Sequence, residues 1–392
     1  MINRKLTNSI KELLRYYPVV TLTGPRQSGK TTLVKNLLTN YEYVTLENPD
    51  TKEFAESDPK GFLEQFKKGC IIDEIQRVPN LFSYIQTIVD DANKEGMFVL
   101  TGSQNFLLLE KITQTLAGRT AILKLLPFDN NELTDGGIII NDINEIALKG
   151  CYPRIYDKNI PIDKFYPFYI QTYVERDVKQ IRNIANFSTF IRFIKLCAGR
   201  AGQILNISNI ANDCDIKHET AKSWLALLQS SYLIYFLEPY HKNFNKRIIK
   251  SPKMYFYDTG LLCSLLGLKS THQLIQYYNY GAIIENYVIS DIKKRIHHNL
   301  LNTSMYYWRN KTGHEVDLIL EKSENGTPVY IEVKGNKTIS DKFFKNIDYL
   351  RKLSGELRKN SYIIYCGSQS YLSSVNKYIS WNNNDVIDEL IR

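Results

Sequence analysis

The chain has 392 residues, 50 Lys and Arg against 41 Asp and Glu, and a formal net charge of +9; 43% of its residues are hydrophobic and 23% charged. Those proportions are ordinary for globular proteins, and the length suits roughly two to four domains, each with its own core. Six cysteines occur singly, without C-x-x-C spacing, which argues against a disulfide framework and a zinc site. No apolar run approaches the roughly twenty residues that span a bilayer, and the N-terminus lacks a signal-peptide core, so a cytoplasmic protein without a membrane partner is expected. The positive surplus favours a polyanionic partner.

Ile2, Leu6, Ile10, Leu13 and Leu14 form an amphipathic helical stripe. Residues 19–23 (VVTLT) then read as a buried strand. It leads into Gly24, Pro25, Arg26, Gln27, Ser28, Gly29, Lys30 and Thr31, which fit the phosphate-loop pattern G-x-x-x-x-G-K-[ST]. Glycines allow the tight turn that aims successive N–H groups at phosphate oxygens. Lys30 supplies a point charge, and the Thr31 hydroxyl is a ligand for Mg²⁺. A helix from Lys30 to Leu38, with Thr32 in its first turn, completes the binding stretch for ATP.

Residues 70–74 (CIIDE) form a short apolar strand ending in two carboxylates. Asp73 suits the magnesium-holding acid, and Glu74 is placed to polarise the attacking water. A third buried strand, from residue 97, ends in Thr101, Ser103 and Gln104. In additional-strand P-loop ATPases such a strand lies between the other two and carries a polar sensor. Gln104 has the longest reach and is the preferred candidate. Arg119 follows in a Leu-Ala-Gly-Arg stretch, either as a surface residue or as an arginine finger reaching the nucleotide of a neighbouring subunit in a homo-oligomer.

The punctuation suggests a nucleotide-binding unit over 1–127 and a connector and helical region over 128–190, with a short strand at Ile138–Ile140. A winged helix-turn-helix follows over 191–260. Its first helix runs from a Ser208 cap to Cys214, and its second over 217–229 with Ala221, Trp224, Leu225 and Leu228 inward. Lys217, His218 and Lys222 would then face a groove. A basic hairpin, with Lys242, Lys246, Arg247, Lys250 and Lys253 and no acid, offers backbone contacts to DNA. The other reading of this unit is a packing module with solvated charge.

Residues 261–392 carry the second constellation. Glu285 lies on a helix, Asp317 on a strand, and fifteen residues later Glu332 and Lys334 share one face of another strand. This D…E-x-K order suits two carboxylates holding Mg²⁺ while the lysine orients or activates water against a phosphodiester. Glu285 would complete the acidic cluster.

Taken together, these motifs resemble a large prokaryotic family of AAA-type P-loop ATPases with a C-terminal nuclease-like domain. The resemblance continues through Gly150-Cys151-Tyr152-Pro153-Arg154, residues 173–178 and residues 255–260, and covers nearly the whole chain. Cys151 departs from an expected second glycine. The resemblance implies an α/β fold: a P-loop NTPase of the additional-strand class, then a winged-helix unit and a restriction-endonuclease-like α/β domain. It implies ATP hydrolysis with Mg²⁺ and leaves cleavage open. Two functions stay open: an ATP-hydrolysing enzyme that binds and cuts DNA, or a nucleotide-controlled switch whose nuclease-like domain binds DNA or protein without cutting.

Overall fold

The computed structural model describes residues 2–66, 68–103, 112, 114–174, 187–240, 250–322, 327–354 and 360–392. The chain divides into two compact units. One comprises Met1–Phe128 with Ser230–Tyr232 and His297–Leu300; the other comprises Asp129–Gln229, Leu233–Ile296 and Leu301–Arg392.

The first unit is built on a parallel sheet of β1 (Val19–Thr23), β2 (Glu42–Thr45), β3 (Cys70–Asp73), β4 (Phe98–Gly102) and β5 (Thr120–Lys124), ordered β2-β3-β4-β1-β5. β4 lies between β3 and β1, with Phe98 opposite both Cys70 and Val19. The extra strand therefore sits between the two motif strands, as the sequence predicts. All five residues of β1 are buried because both faces of a parallel sheet are covered. Val20, Leu22, Ile71, Val99 and Leu123 face the helices Leu6–Leu13 and Lys30–Leu37 through Leu6, Ile10, Leu33 and Val34. The alternate residues Val19, Cys70, Ile72, Phe98 and Leu100 face the helix Leu81–Ala92 through Phe82, Ile85 and Val89.

The second unit opens differently from expectation. Residues 138–140 form no strand, and Ile139 is 74% exposed. The polar stretch makes the helices Asn130–Asp135 and Ile143–Lys149 instead. A reciprocal capping box between Asp129 and Glu132 starts the first of these, satisfying orphan N–H groups that apolar content alone does not reveal. The Gly150–Cys151 turn is then held by Asp258, which accepts from the Cys151 N–H at 2.7 Å, Tyr166 Oη at 2.8 Å and the Leu261 N–H at 2.9 Å.

A helix-turn-helix follows: Ile207–Cys214, a turn with Asp215 at φ 55°, then His218–Ser230. The cap is Asn206, which accepts from the Asn209 N–H at 3.0 Å, and not Ser208. An amide oxygen one residue before the first turn reaches that donor. Trp224 packs edge-on against Phe190 and Phe193 of the helix Phe187–Ala198.

Beyond it lies an eight-stranded mixed sheet of β6 (Ile234–Pro239), β7 (Lys253–Phe256), β8 (Thr303–Arg309), β9 (Glu315–Lys322), β10 (Val329–Lys334), β11 (Ser361–Tyr365), β12 (Tyr371–Leu372) and β13 (Lys377–Ser380). Its order is β12-β13-β11-β10-β9-β8-β6-β7. β8, β9 and β10 are antiparallel, and β10 and β11 parallel. β6 joins β8 through Glu238 and Pro239 opposite Tyr306 and Tyr307. The strands that follow the helix-turn-helix thus belong to the C-terminal sheet. Trp308, Ile319, Tyr330 and Ile363 on this sheet bury against Ile347 and Leu350 of the helix Lys345–Ser354 and Phe344 just before it.

Candidate nucleotide site and acidic site

The phosphate loop leaves the C-terminal end of β1 and enters the helix Lys30–Leu37. Gly24 has φ 147°, and a Cβ there would lie 2.1 Å from the Leu125 carbonyl oxygen. Gly29 sits at φ 93°, a conformation that L side chains rarely adopt. Gln27 also has positive φ and is exposed, as is Thr32, whereas Arg26 is half-buried. Lys30 is 6% exposed and donates to the carbonyls of Gly24 at 2.9 Å and Pro25 at 2.8 Å, both inside its own loop. Buried Ser28 Oγ has no hydrogen-bond partner among the described residues.

Opposite the loop, Asp73 ends β3. Its Oδ2 accepts from Thr31 Oγ1 and Tyr43 Oη, both at 2.9 Å, and its Oδ1 from Thr101 Oγ1 and, at 3.2 Å, the Glu74 N–H. Glu74 adopts φ 55°, ψ 43°. This left-handed backbone costs a non-glycine residue roughly 1–2 kcal/mol, a strain of the kind that gathers at functional sites. Its Oε2 accepts from Ser103 Oγ at 3.2 Å and from Gln76 Nε2. Burial, then the Asp73 carboxylate, raises the Tyr43 phenol well above its ordinary value, so it stays a donor to Asp73.

The orphaned serine hydroxyl, the lysine and the glycine turn fit a triphosphate, and the oxygens of Thr31 and Asp73 fit a magnesium ion. Of the three sensor candidates, Thr101 touches Asp73 and Ser103 touches Glu74; Gln104 lies outside the described residues. Arg119 precedes β5, opposite Val19 at the start of β1. It is therefore about one strand length, roughly 16 Å, from the phosphate loop of its own chain. There it grips Asp90 with two hydrogen bonds, of 2.5 and 2.8 Å. Tyr43 and Gln76 had no signal in the sequence, because adjacency of β2 to β3 and the turn after Glu74 bring them in.

In the second unit, Glu285, Glu315 and Asp317 offer ligand oxygens within 4.8 Å of one another. Asp317 Oδ2 accepts from the Val333 N–H at 2.8 Å and lies 3.9 Å from Lys334 Nζ. Lys334 also donates to Glu332 Oε2. Glu332 is 1% exposed; among the described residues its Oε1 has no hydrogen-bond partner, though the nearby Asn346 side chain favours its charge. Burial, then the neighbouring Asp317, pushes the Glu332 carboxyl well above the usual carboxylate range. Burial likewise raises Glu285 to about 7, against the pull of Lys253. The structure thus gathers Glu285, Asp317, Glu332 and Lys334.

Two further residues enter. Glu315 shares a face with Asp317 by strand period two, a signal the sequence does contain. Lys253 belongs to β7, and only the tertiary fold brings it in. Its ammonium pairs with Glu285 Oε1 at 2.8 Å and with Glu315 Oε1. Burial acts to lower it, but Glu285, Glu315 and Asp317 outweigh that and hold it charged. Lys253 is 1% exposed, so it is no part of a DNA-facing hairpin as its sequence position suggested. Lys217, His218, Lys222 and Lys250 are exposed; Lys242, Lys246 and Arg247 lie outside the described residues, as do residues 175–178. The carboxylate set offers only hard oxygen donors and fits Mg²⁺ or Mn²⁺, with the Lys253 ammonium as a competing cation.

The parallel sheet with its central extra strand, and the loop around Lys30, have the architecture of a P-loop nucleotide-binding domain. In agreement, residues 16–134 match a family model described as an AAA domain. Residues 140–272 and 280–383 match two domains of unknown function, DUF8612 and DUF4143. The chain is 31% identical over 341 residues to the uncharacterized protein Rv2008c of Mycobacterium tuberculosis, spanning 84% of this chain and 73% of that relative. The uncharacterized protein Mb2031c of Mycobacterium bovis matches with the same figures. The chain belongs to the family of these mycobacterial proteins. Similar solved structures include the Walker-type ATPase PABY2304 of Pyrococcus abyssi, at TM-score 0.46 and 15% identity over 68% of this chain and 96% of that one. Another is AMPPCP-bound DnaA of Aquifex aeolicus, at 0.29 and 14% over 57% and 85%. No helix among the described residues is long and apolar enough to cross a membrane.

Proposed function

We propose that the protein binds and hydrolyses ATP with Mg²⁺ at the phosphate loop, and that its second unit engages DNA. The observation that carries the first part is the Asp73–Glu74 pair: Asp73 is tied to Thr31, while Glu74 is held at a strained backbone position with Ser103 and Gln76 on one carboxylate oxygen. In this reading Lys30 and the loop N–H groups hold the β- and γ-phosphates, Thr31 and Asp73 hold the metal, and Glu74 takes the proton of the attacking water. Magnesium, when bound, supplies charge neutralisation at the phosphates. Ser103 orients Glu74, with Gln104 as the sensor beyond it. Arg119 would serve only a neighbouring subunit.

For the second unit, the exposed Lys217 and Lys222 on the second helix of the helix-turn-helix support contact with phosphate backbones, alongside Lys250 and the basic residues 242–247. Asp317, Glu332 and Lys334 on adjacent central strands support a restriction-endonuclease-like, metal-dependent phosphodiesterase site, with Lys334 orienting water. The alternative, a domain that binds without cutting, is favoured by one observation: the Lys253 ammonium lies between Glu285 and Glu315, where a cation would sit.

The test uses purified full-length chain with ATP, Mg²⁺ or Mn²⁺, and plasmid, linear or single-stranded DNA. Wild type should hydrolyse ATP, Lys30→Ala should lose nucleotide binding, and Glu74→Gln should bind but turn over at least about a hundredfold more slowly. Equal turnover by Glu74→Gln would remove Glu74 from its role. DNA cut by wild type and spared by Asp317→Asn establishes the enzyme reading; no cutting by wild type leaves the binding reading.

A further inference from the structure

The phosphate loop is gripped from behind by residues outside its motif. Arg4, 7% exposed, precedes the helix Leu6–Leu13. Its Nη1 donates to the Ser28 carbonyl at 2.7 Å, and its Nη2 to the Leu126 carbonyl at 2.6 Å. The guanidinium carbon stands 4.8 Å from the centre of the Phe128 ring. Beneath it, His298 Nε2 lies 3.2 Å from the Leu126 N–H and 3.5 Å from Arg4 Nη2. Both of these neighbours are donors, so Nε2 faces them as the acceptor. Arg4, the loop, Leu126, Phe128 and His298 all belong to the first compact unit.

The grip on Ser28 has a stereochemical consequence. A peptide group is planar, and no peptide bond among the described residues is cis. Its C=O and the following N–H point in opposite directions. Anchoring the Ser28 carbonyl on Arg4, behind the loop, therefore turns the Gly29 N–H to the loop's other side. Gly29 tolerates that orientation at φ 93° because it has no Cβ. Lys30 follows directly, with its ammonium on the loop's own carbonyls.

We propose that Arg4 is a positioning residue for the nucleotide: it fixes the Ser28–Gly29 peptide so that the Gly29 N–H is presented to phosphate, with His298 bracing Arg4 and Leu126. A planar fork suits this task, since two carbonyls some distance apart must be held by one rigid group. The proposal rests on the nucleotide reading given above and adds to it a residue outside the loop motif.

Titration of the full-length chain with a fluorescent ATP analogue, in competition with ATP and with adenosine, tests this alongside steady-state ATP hydrolysis. Arg4→Gln should weaken ATP binding about tenfold or more, the scale of a lost charge-assisted hydrogen bond. Adenosine, which has no phosphate, should compete as it does with wild type. KM should rise while kcat changes little, because Lys30 and Glu74 are untouched. Arg4→Lys, which keeps charge but not the fork, should recover part of the loss, and His298→Ala should show a smaller loss of the same kind. Folding is followed by thermal melting; if Arg4→Gln does not fold, Arg4→Lys carries the same comparison. Wild-type ATP affinity in a folded Arg4 variant overturns the proposal. So does an equal loss for ATP and adenosine, which would mark a general loosening. A wild type that binds no ATP analogue would instead sink the nucleotide reading and this proposal with it.

Discussion

Two single residues show how geometry sets chemistry here. At Gly24 an added methyl would meet the Leu125 carbonyl at 2.1 Å, a backbone atom that cannot swing aside. Gly24→Ala should therefore distort the loop and abolish detectable binding of a fluorescent ATP analogue while circular dichroism stays close to wild type; normal affinity would contradict this packing. At Glu285, burial raises the folded carboxyl to about 7 from an ordinary 4.5. Between those values the native state keeps a proton that the unfolded state has released, so stability present at low pH is lost as pH rises through that window. Buried Glu332 works in the same direction. In metal-free buffer the melting temperature should fall from pH 5 to pH 7.5, and Glu285→Gln should flatten the fall. An unchanged slope in the variant would show that Glu285 is not the titrating group.

At the scale of elements, the helix His218–Ser230 joins two tasks. Its inner face is fixed by Trp224 wedged between Phe190 and Phe193, and its outer face carries Lys222, with Lys217 just before it. Helix periodicity separates these faces cleanly. If the outer face meets DNA, Lys217→Ala with Lys222→Ala should release about two fewer counterions and flatten the slope of log affinity against log salt by roughly 1–2. A slope equal to wild type would assign the helix-turn-helix to packing alone. The strands β6 and β7 place Lys253 inside the acidic site instead of on a basic surface, so the exposed charge of this element is smaller than its sequence suggests.

At the scale of the whole molecule, each of the two compact units carries a site of its own: a loop built for phosphate and an oxygen-rich cluster suited to a divalent metal. Ligand-induced stabilisation should dissociate accordingly. A non-hydrolysable ATP analogue at about a hundred times its Kd should add on the order of 2.7 kcal/mol to the stability of the state that binds it. That shift should vanish in Lys30→Ala and persist in Asp317→Asn. Stabilisation by Mn²⁺ without nucleotide should show the reverse pattern. A Mn²⁺ shift that survives Asp317→Asn would place the metal elsewhere.

The loop Gly24–Thr31, the Asp73–Glu74 pair, the helix-turn-helix, and the Asp317, Glu332 and Lys334 strands were legible in the sequence because each rests on local rules: turn chemistry, period 3.6 or period 2, and fixed spacing along one element. What the residues around them contribute was not legible. Tyr43 reaches Asp73 only because β2 lies beside β3, and Lys253 enters the acidic site only because its strand is brought against Glu285 and Glu315. Arg4 holds the loop at Ser28 and meets His298, which lies 294 positions along the chain. Ile138–Ile140, expected as a strand, form none and lie between the helices Asn130–Asp135 and Ile143–Lys149 with Ile139 exposed, because a run of apolar residues makes a strand only where a neighbouring strand pairs with it. Local pattern encodes which groups a segment offers; long-range packing decides which of them share a site, and no spacing in the sequence records that choice.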